Sequence, residues 1–259
     1  MLNRLRQKRP GTPLRRLLMY DVIRRLAHAL FVLFYRIRVY GHRRIPASGP
    51  LLLVCNHQSN LDPPAVSSSI SSRHLEFLAK EGLFTGSGFL AWLIGNLNSL
   101  PIREDGGDAA AIKEILRRLG EGRAVLIFPE GTRSEDGAMH EFKRGVALLV
   151  KRGRCPVQPV AVEGCFDAWR RGGSFPRLFG PRVAVAFSDP ISHDELMRGT
   201  PDEGLARLAA RIDRTRLALR AKLRRATRGR YPPPGPGDAP LSIARASATT
   251  PAAQPHTAG

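Results

Sequence analysis

The sequence predicts an α/β protein with a mostly parallel central sheet flanked by helices, preceded by an N-terminal helical segment suited to an interface. Two observations predict it. Between residues 45 and 190, short apolar runs bounded by Gly, Pro and polar residues alternate with helix-patterned stretches, the order that βαβ units produce. At 259 residues and 42% apolar content, the chain is also long enough to bury one substantial core.

Residues 1–13 are basic and carry no apolar periodicity. Leu14 to Val39 reads as helix, with an apolar centre from Leu26 to Tyr35 broken only by His28 and bracketed by Arg24-Arg25, Arg36 and Arg38. Ten apolar residues cover about 15 Å of helix against a bilayer core of about 30 Å, too little for a span. Arginines follow the apolar run and no small-residue cleavage site appears, which disfavours a signal peptide. Residues 1–40 are therefore expected to be a membrane-associating segment, with a core helix as the competing reading. Strands are expected at 50–55, 74–79, 98–103, 123–128, 156–162 and 182–187, and helices at 63–70, 83–94, 108–119 and 142–151. Residues 192–229 form a helical region with the apolar stripe Leu205, Leu208, Ile212, Leu219 and Leu223, closing a domain at 41–230. Residues 231–259, rich in Pro and Ala, read as a disordered tail.

A formal charge of +19 suits an anionic partner. Twelve basic residues stand against Asp21 within residues 1–44, and ten against Asp213 within 205–230. The N-terminal arginines flank an apolar stretch and no nucleic-acid motif appears, so an anionic membrane surface is expected and nucleic acid is not. Cys55, Cys155 and Cys165 are too few for a disulfide framework and lack metal-ligand spacing. Cys55 precedes His57 by two residues, which allows a Cys–His nucleophile, but a buried strand cysteine is the stronger reading.

The most informative segment is Asn56-His57-Gln58-Ser59-Asn60-Leu61-Asp62, between the apolar run 51–55 and Pro63-Pro64. On one helix, His57 and Asp62 would point about 140° apart. Asp62 before proline reads instead as an N-cap, which places the pair on a strand end, a corner and a helix start where they can meet. A carboxylate on one imidazole nitrogen leaves the other free to take a proton. The plain alternative is a cap beside a structural histidine. A second motif, Phe128-Pro129-Glu130-Gly131-Thr132-Arg133-Ser134, follows the apolar run 124–127. It could be only a strand exit, or Arg133 could offer its planar fork to a phosphate, with Gly131 allowing close backbone approach. Both clusters fall at strand ends, where open α/β sheets build their sites.

These two motifs, in this order and about seventy residues apart, resemble those of the glycerophospholipid acyltransferases, and more closely the 1-acylglycerol-3-phosphate acyltransferases of the PlsC type. Phe77-Leu78-Ala79-Lys80-Glu81, Phe142-Lys143-Arg144-Gly145 and Cys155-Pro156-Val157-Gln158-Pro159-Val160 agree in order, so the resemblance covers roughly residues 45–165. It implies the family's αβ fold and transfer of a fatty acyl chain from acyl-CoA or acyl carrier protein to the free hydroxyl of lysophosphatidic acid, giving phosphatidic acid. It further implies His57 as general base with Asp62 orienting it. Lys80, Arg103, Glu130, Gly131, Thr132 and Arg133 would hold the acceptor, and Pro159 would shape the wall. It implies no metal, no cofactor beyond the thioester co-substrate, and a peripheral place on the cytoplasmic face of the inner membrane. One block departs: Leu100-Pro101-Ile102-Arg103-Glu104 has glutamate where the family commonly has arginine. Another lysolipid acceptor therefore stays open, as does a non-catalytic membrane-binding scaffold. A serine hydrolase using Ser59 or Ser134 is disfavoured because no G-x-S-x-G elbow exists.

Overall fold

A computed structural model describes residues 11–80, 99–102 and 107–241. The expected helix at 83–94 lies outside them. Helix α1 (Leu14–Tyr35) leads into strand β1 (Arg38–Tyr40), then β2 (Leu51–Cys55), α2 (Asp62–Ser68), β3 (Leu75–Lys80) and β4 (Ser99–Ile102). There follow α3 (Gly107–Gly120), β5 (Ala124–Ile127), α4 (Gly145–Gly153), β6 (Val157–Glu163), α5 (Cys165–Ala168) and β7 (Ala184–Phe187). Helices α6 (His193–Leu196) and α7 (Pro201–Ala226) close the fold.

The described strands make one seven-stranded sheet in the order β1-β7-β6-β2-β5-β3-β4. Every neighbouring pair is parallel except β6–β7. The expected α/β fold is therefore found. Central strand β2, Leu-Leu-Leu-Val-Cys, is wholly buried, as a strand covered on both faces must be. Its odd-numbered residues Leu51, Leu53 and Cys55 join the core beneath α1 and α2, while Leu52 and Val54 join the core beneath α3, α4 and α7.

Both ends of the chain bear on the expected domain bounds. Within the N-terminal segment, α1 packs into the first core through Tyr20, Ile23, Phe31 and Tyr35, as the competing core-helix reading allows. Asp21 and Arg24 are buried with it: Asp21 Oδ1 lies 3.2 Å from His74 Nε2, and Arg24 donates to the Ser68 carbonyl at 3.3 Å. The helix stops at Tyr35, four residues before the expected end. Arg36 turns left-handed at φ 45°, and the N–H groups of Arg36 and Ile37 bond back to Val32 O and Phe31 O. That turn frees Arg38–Tyr40 to pair with β7 as an edge strand.

At the other end, residues 231–241 belong to the fold and not to a disordered tail. Arg216 donates to the carbonyls of Gly237 and Ala239, Arg220 and Arg224 bond Asp238, and Leu241 N–H donates to Asp213. Part of the basic complement of α7 is thus turned inward, with Arg216 and Arg220 buried while Arg207, Arg214, Lys222 and Arg225 stay exposed. Arg216 is fully buried, which a count of charges along the chain does not reveal. Among the described residues no helix is long and apolar enough to cross a membrane.

Candidate functional site

The site is built at the C-terminal ends of β2 and β5. Asn56 continues β2 past its last backbone pairing, its side chain donating to Val162 O and accepting from Val162 N–H, both at 2.9 Å. This locks the chain one residue before His57. His57 itself is bracketed by the second motif: its N–H donates to Glu130 Oε1 at 2.7 Å, and its carbonyl accepts from Ser134 N–H at 2.9 Å. The two motifs meet on a single residue.

His57 Nδ1 lies 2.8 Å from Asp62 Oδ2, and the imidazole stacks on Phe128 with ring centroids 4.0 Å apart. Asp62 is fully buried, whereas 17% of the His57 side chain reaches solvent. The same carboxylate oxygen accepts the N–H groups of Gln58 (2.5 Å) and Ser59 (2.7 Å). Asp62 therefore folds the corner as well as holding the ring. It does not act as the expected N-cap: Leu61 takes that position, and the Asp62 side chain turns back toward the loop. The physical reason is in the sequence. Pro63 and Pro64 have no N–H for a cap to bond, so the carboxylate finds its donors upstream. No described side chain bonds His57 Nε2. An imidazole fixed through Nδ1 and open at Nε2 can accept a proton there.

The rival nucleophiles are spoken for. Burial raises the Cys55 thiol well above its usual range, and Cys165 likewise, with the nearby Asp62 carboxylate adding to it. Ser59 Oγ donates to Trp169 O at 2.7 Å, and Ser134 Oγ bonds Asp136 at 3.1 Å.

The acceptor-holding residues expected from sequence divide. Arg133 is half-buried, and burial together with the neighbouring Arg171 charge lowers its pKa, opposed by Asp62. It forms no ion pair with any described residue, so its charge stands available beside the His57–Asp62 pair. Thr132 is exposed and accepts from Arg171 at 3.2 Å. Gly131 has φ +71°, the left-handed region that favours glycine, and its missing side chain leaves room for the end of the Lys143 side chain. Glu130 does not face a ligand. It is buried, with one oxygen on His57 N–H and the other on His140 N–H at 3.0 Å, and serves as the brace beneath His57. Pro159 lies in β6 opposite Val54 in register. Alternation puts it with Val157 and Ala161 on the core face away from His57, so it does not wall the site. The expectations for Arg103 and for the Lys80 side chain fall outside what is described. Arg171 was not anticipated. It belongs to no motif, and its loop reaches the site through the Ser59–Trp169 bond. Among the described residues no cluster of His, Cys, Asp and Glu could hold a metal.

Burial pushes Glu130 up to about 8, outweighing the two backbone donors that favour its charged form. The folded protein then keeps a proton that the unfolded chain releases above its ordinary 4.5, so stability falls as pH rises from 4.5 through 8. The slope reaches up to about 1.4 kcal/mol per pH unit inside that window. Glu130→Gln removes the titration while losing one acceptor, so its Tm should start lower and decline less between pH 5 and pH 8. Thermal melts of both proteins across that range check this.

Comparison with known proteins gives a consistent picture. The family profile described as Acyltransferase matches residues 36–163. 1-acyl-sn-glycerol-3-phosphate acyltransferase alpha of Homo sapiens is 30% identical over 197 residues, covering 75% of this chain and 67% of that protein. The Mus musculus protein of the same name is 29% identical over 180 residues, covering 69% and 61%. The chain thus spans about two thirds of these relatives or slightly less. The crystal structure of the 1-acyl-sn-glycerophosphate (LPA) acyltransferase PlsC from Thermotoga maritima superposes with a TM-score of 0.67 at 27% identity, over 80% of this chain and 81% of that one.

Proposed function

Because this chain belongs to the acyltransferase family, we propose that it esterifies a lysophospholipid, with lysophosphatidic acid as acceptor and phosphatidic acid as product. The observation that carries the reading is the His57 Nδ1–Asp62 contact with Nε2 left open beside the unpaired Arg133 guanidinium. Nε2 takes the acceptor hydroxyl proton as the oxygen attacks the thioester carbonyl of acyl-CoA or acyl carrier protein. The ester C–O bond forms, the C–S bond breaks, and the departing thiolate takes the proton from the imidazolium. Phe128 and the buried Asp62 keep the ring in the orientation this requires.

Arg133, with Arg171 beside it although paired with Glu135 at 2.7 Å, forms the positive ground on which the acceptor phosphate sits. Arg133→Ala should raise KM for lysophosphatidic acid roughly tenfold to a hundredfold, the loss of one charge-assisted contact of about 1.5–3 kcal/mol. Turnover of a lysolipid without a terminal phosphate should change little. Free-thiol release from acyl-CoA measures both. Equal losses on the two acceptors would remove Arg133 from phosphate recognition, and no thiol release from any lysolipid would favour a scaffold.

The enzyme works from the cytoplasmic face of the inner membrane as a peripheral protein. Supporting this, the outer face of α1 exposes Leu18, Val22, Leu26, Leu30 and Leu33 beside exposed Arg15, Arg25 and Arg36. Since the other face of α1 is core, its contribution is to be tested by substitutions on the outer face and not by deleting the helix.

A further inference from the structure

Among the described residues, every exposed large apolar side chain except Leu148 lies in one of two places. One is the outer face of α1. The other is the loop between α5 and β7, where Phe175 is 86% exposed, Phe179 61% and Leu178 47%. Folded proteins seldom leave such rings in water without a partner for them.

The two places join. Phe34, near the end of α1, meets Phe179 edge-on with ring centroids 5.2 Å apart. The loop is also held in shape. Arg177 N–H donates to Ala168 O at 2.7 Å, Trp169 Nε1 donates to Gly173 O at 2.7 Å, and the Arg177 guanidinium bonds the Tyr231 hydroxyl at 3.1 Å. Phe179 itself sits at φ +60°, a conformation bulky residues avoid, which turns its ring outward onto α1. Residues 169–183 contain Arg170, Arg171, Arg177 and Arg182 and no acidic residue.

We infer that the 170–179 loop is a second membrane-inserting element, which places Phe175, Leu178 and Phe179 into the acyl boundary of an anionic bilayer while its arginines meet the headgroups. An apolar tip ringed by cations suits an anionic lipid interface. An acidic protein partner would match the arginines but leave the fully presented Phe175 ring unexplained. The same loop carries Arg171, which bonds Thr132 of the second motif. Insertion of the loop therefore holds the Arg133–Arg171 ground at headgroup depth, where a lysolipid offers its phosphate. The inference rests on the reading that the protein works at a membrane surface, and it adds a footing that the N-terminal helix does not supply.

The test is a depth reporter. Phe175→Trp on the full chain places an indole at the loop tip with little effect on folding, and Leu26→Trp does the same for α1. Each is measured against the parent protein on vesicles of phosphatidylglycerol and phosphatidylethanolamine, with and without brominated acyl chains. The loop proposal expects a blue shift and at least twofold extra quenching by brominated lipid for Phe175→Trp. No quenching at position 175 overturns it. If position 26 is then quenched, α1 alone carries the membrane; if neither is, the membrane reading falls as well. Quenching at 175 without quenching at 26 supports the loop and removes α1. A spectral response at 175 to an acidic acyl carrier protein, with none to vesicles, makes the loop a protein dock and overturns the proposal.

Discussion

His57→Ala should lower kcat by at least a hundredfold and up to about ten-thousandfold, the range expected for loss of a positioned general base. Thiol release in the presence of lysophosphatidic acid and acyl-CoA measures it, with vesicle binding as the control that should not change. Asp62 holds Nδ1 at 2.8 Å, Phe128 stacks on the ring, and Nε2 is the one nitrogen left for substrate. Asp62→Asn separates orientation from folding less cleanly, because the same oxygen also holds the Gln58 and Ser59 amides. That variant should lose both activity and several degrees of Tm, whereas His57→Ala should lose activity with Tm nearly unchanged. A His57→Ala enzyme that retains a tenth of its turnover would exclude the base role.

Glu163→Ala should be strongly destabilising, by about 1.5–3 kcal/mol, because it removes a buried charge-assisted partner from Arg220 and a nearby carboxylate from Arg216, although Asp238 and Asp213 still hold these two cations. Glu163 ends β6 with no exposure. It takes Arg220 Nη1 at 2.8 Å and Gln58 Nε2 at 3.0 Å, and Arg216 Nη1 lies 3.7 Å away. Arg216 is fully buried and Arg220 is 5% exposed, so neither can turn to water. A loss of that size is a large part of a domain's net stability of about 5–15 kcal/mol. Urea unfolding should show a lower midpoint with an unchanged slope. Glu163→Gln, which keeps the shape and one acceptor, should cost less. Because Gln58 is the neighbour of His57, Glu163→Ala should also slow turnover, more than its effect on acceptor KM. A midpoint within experimental error of the parent would show that the cluster is not what fastens α7 to the sheet.

The order of strands and helices was legible because the central strands are buried on both faces. A run such as Leu51–Cys55 has no polar residue to blur it, and its ends are marked by Pro50 and Asn56. His57 and Asp62 were legible for a related reason: their partnership is local, five residues across one corner, and Pro63-Pro64 fix where the corner ends. Arg133 could be picked out because a guanidinium following a strand exit and a glycine has few structural uses.

Glu130 could not be read correctly. Its role depends on the amides of His57 and His140, and a buried carboxylate looks in sequence like an exposed one. Pro159 was misplaced because the face of a strand is set by register against its neighbours. Arg171 carried no signal, since a loop of the chain folds it back against Thr132.

The sequence by itself determined the layers, the His57–Asp62 pairing and the family, all of which rest on short-range patterns of apolar and polar residues. Tertiary structure alone decided that α1 and residues 231–241 complete the domain, and that Arg216 and Arg220 face inward. Burying a charge is favourable only where an opposite charge or carbonyl waits for it. Beyond the local Asp213, the partners of these arginines are Glu163, Asp238 and the carbonyl of Gly237, 18 to 57 positions away along the chain and brought together only by folding.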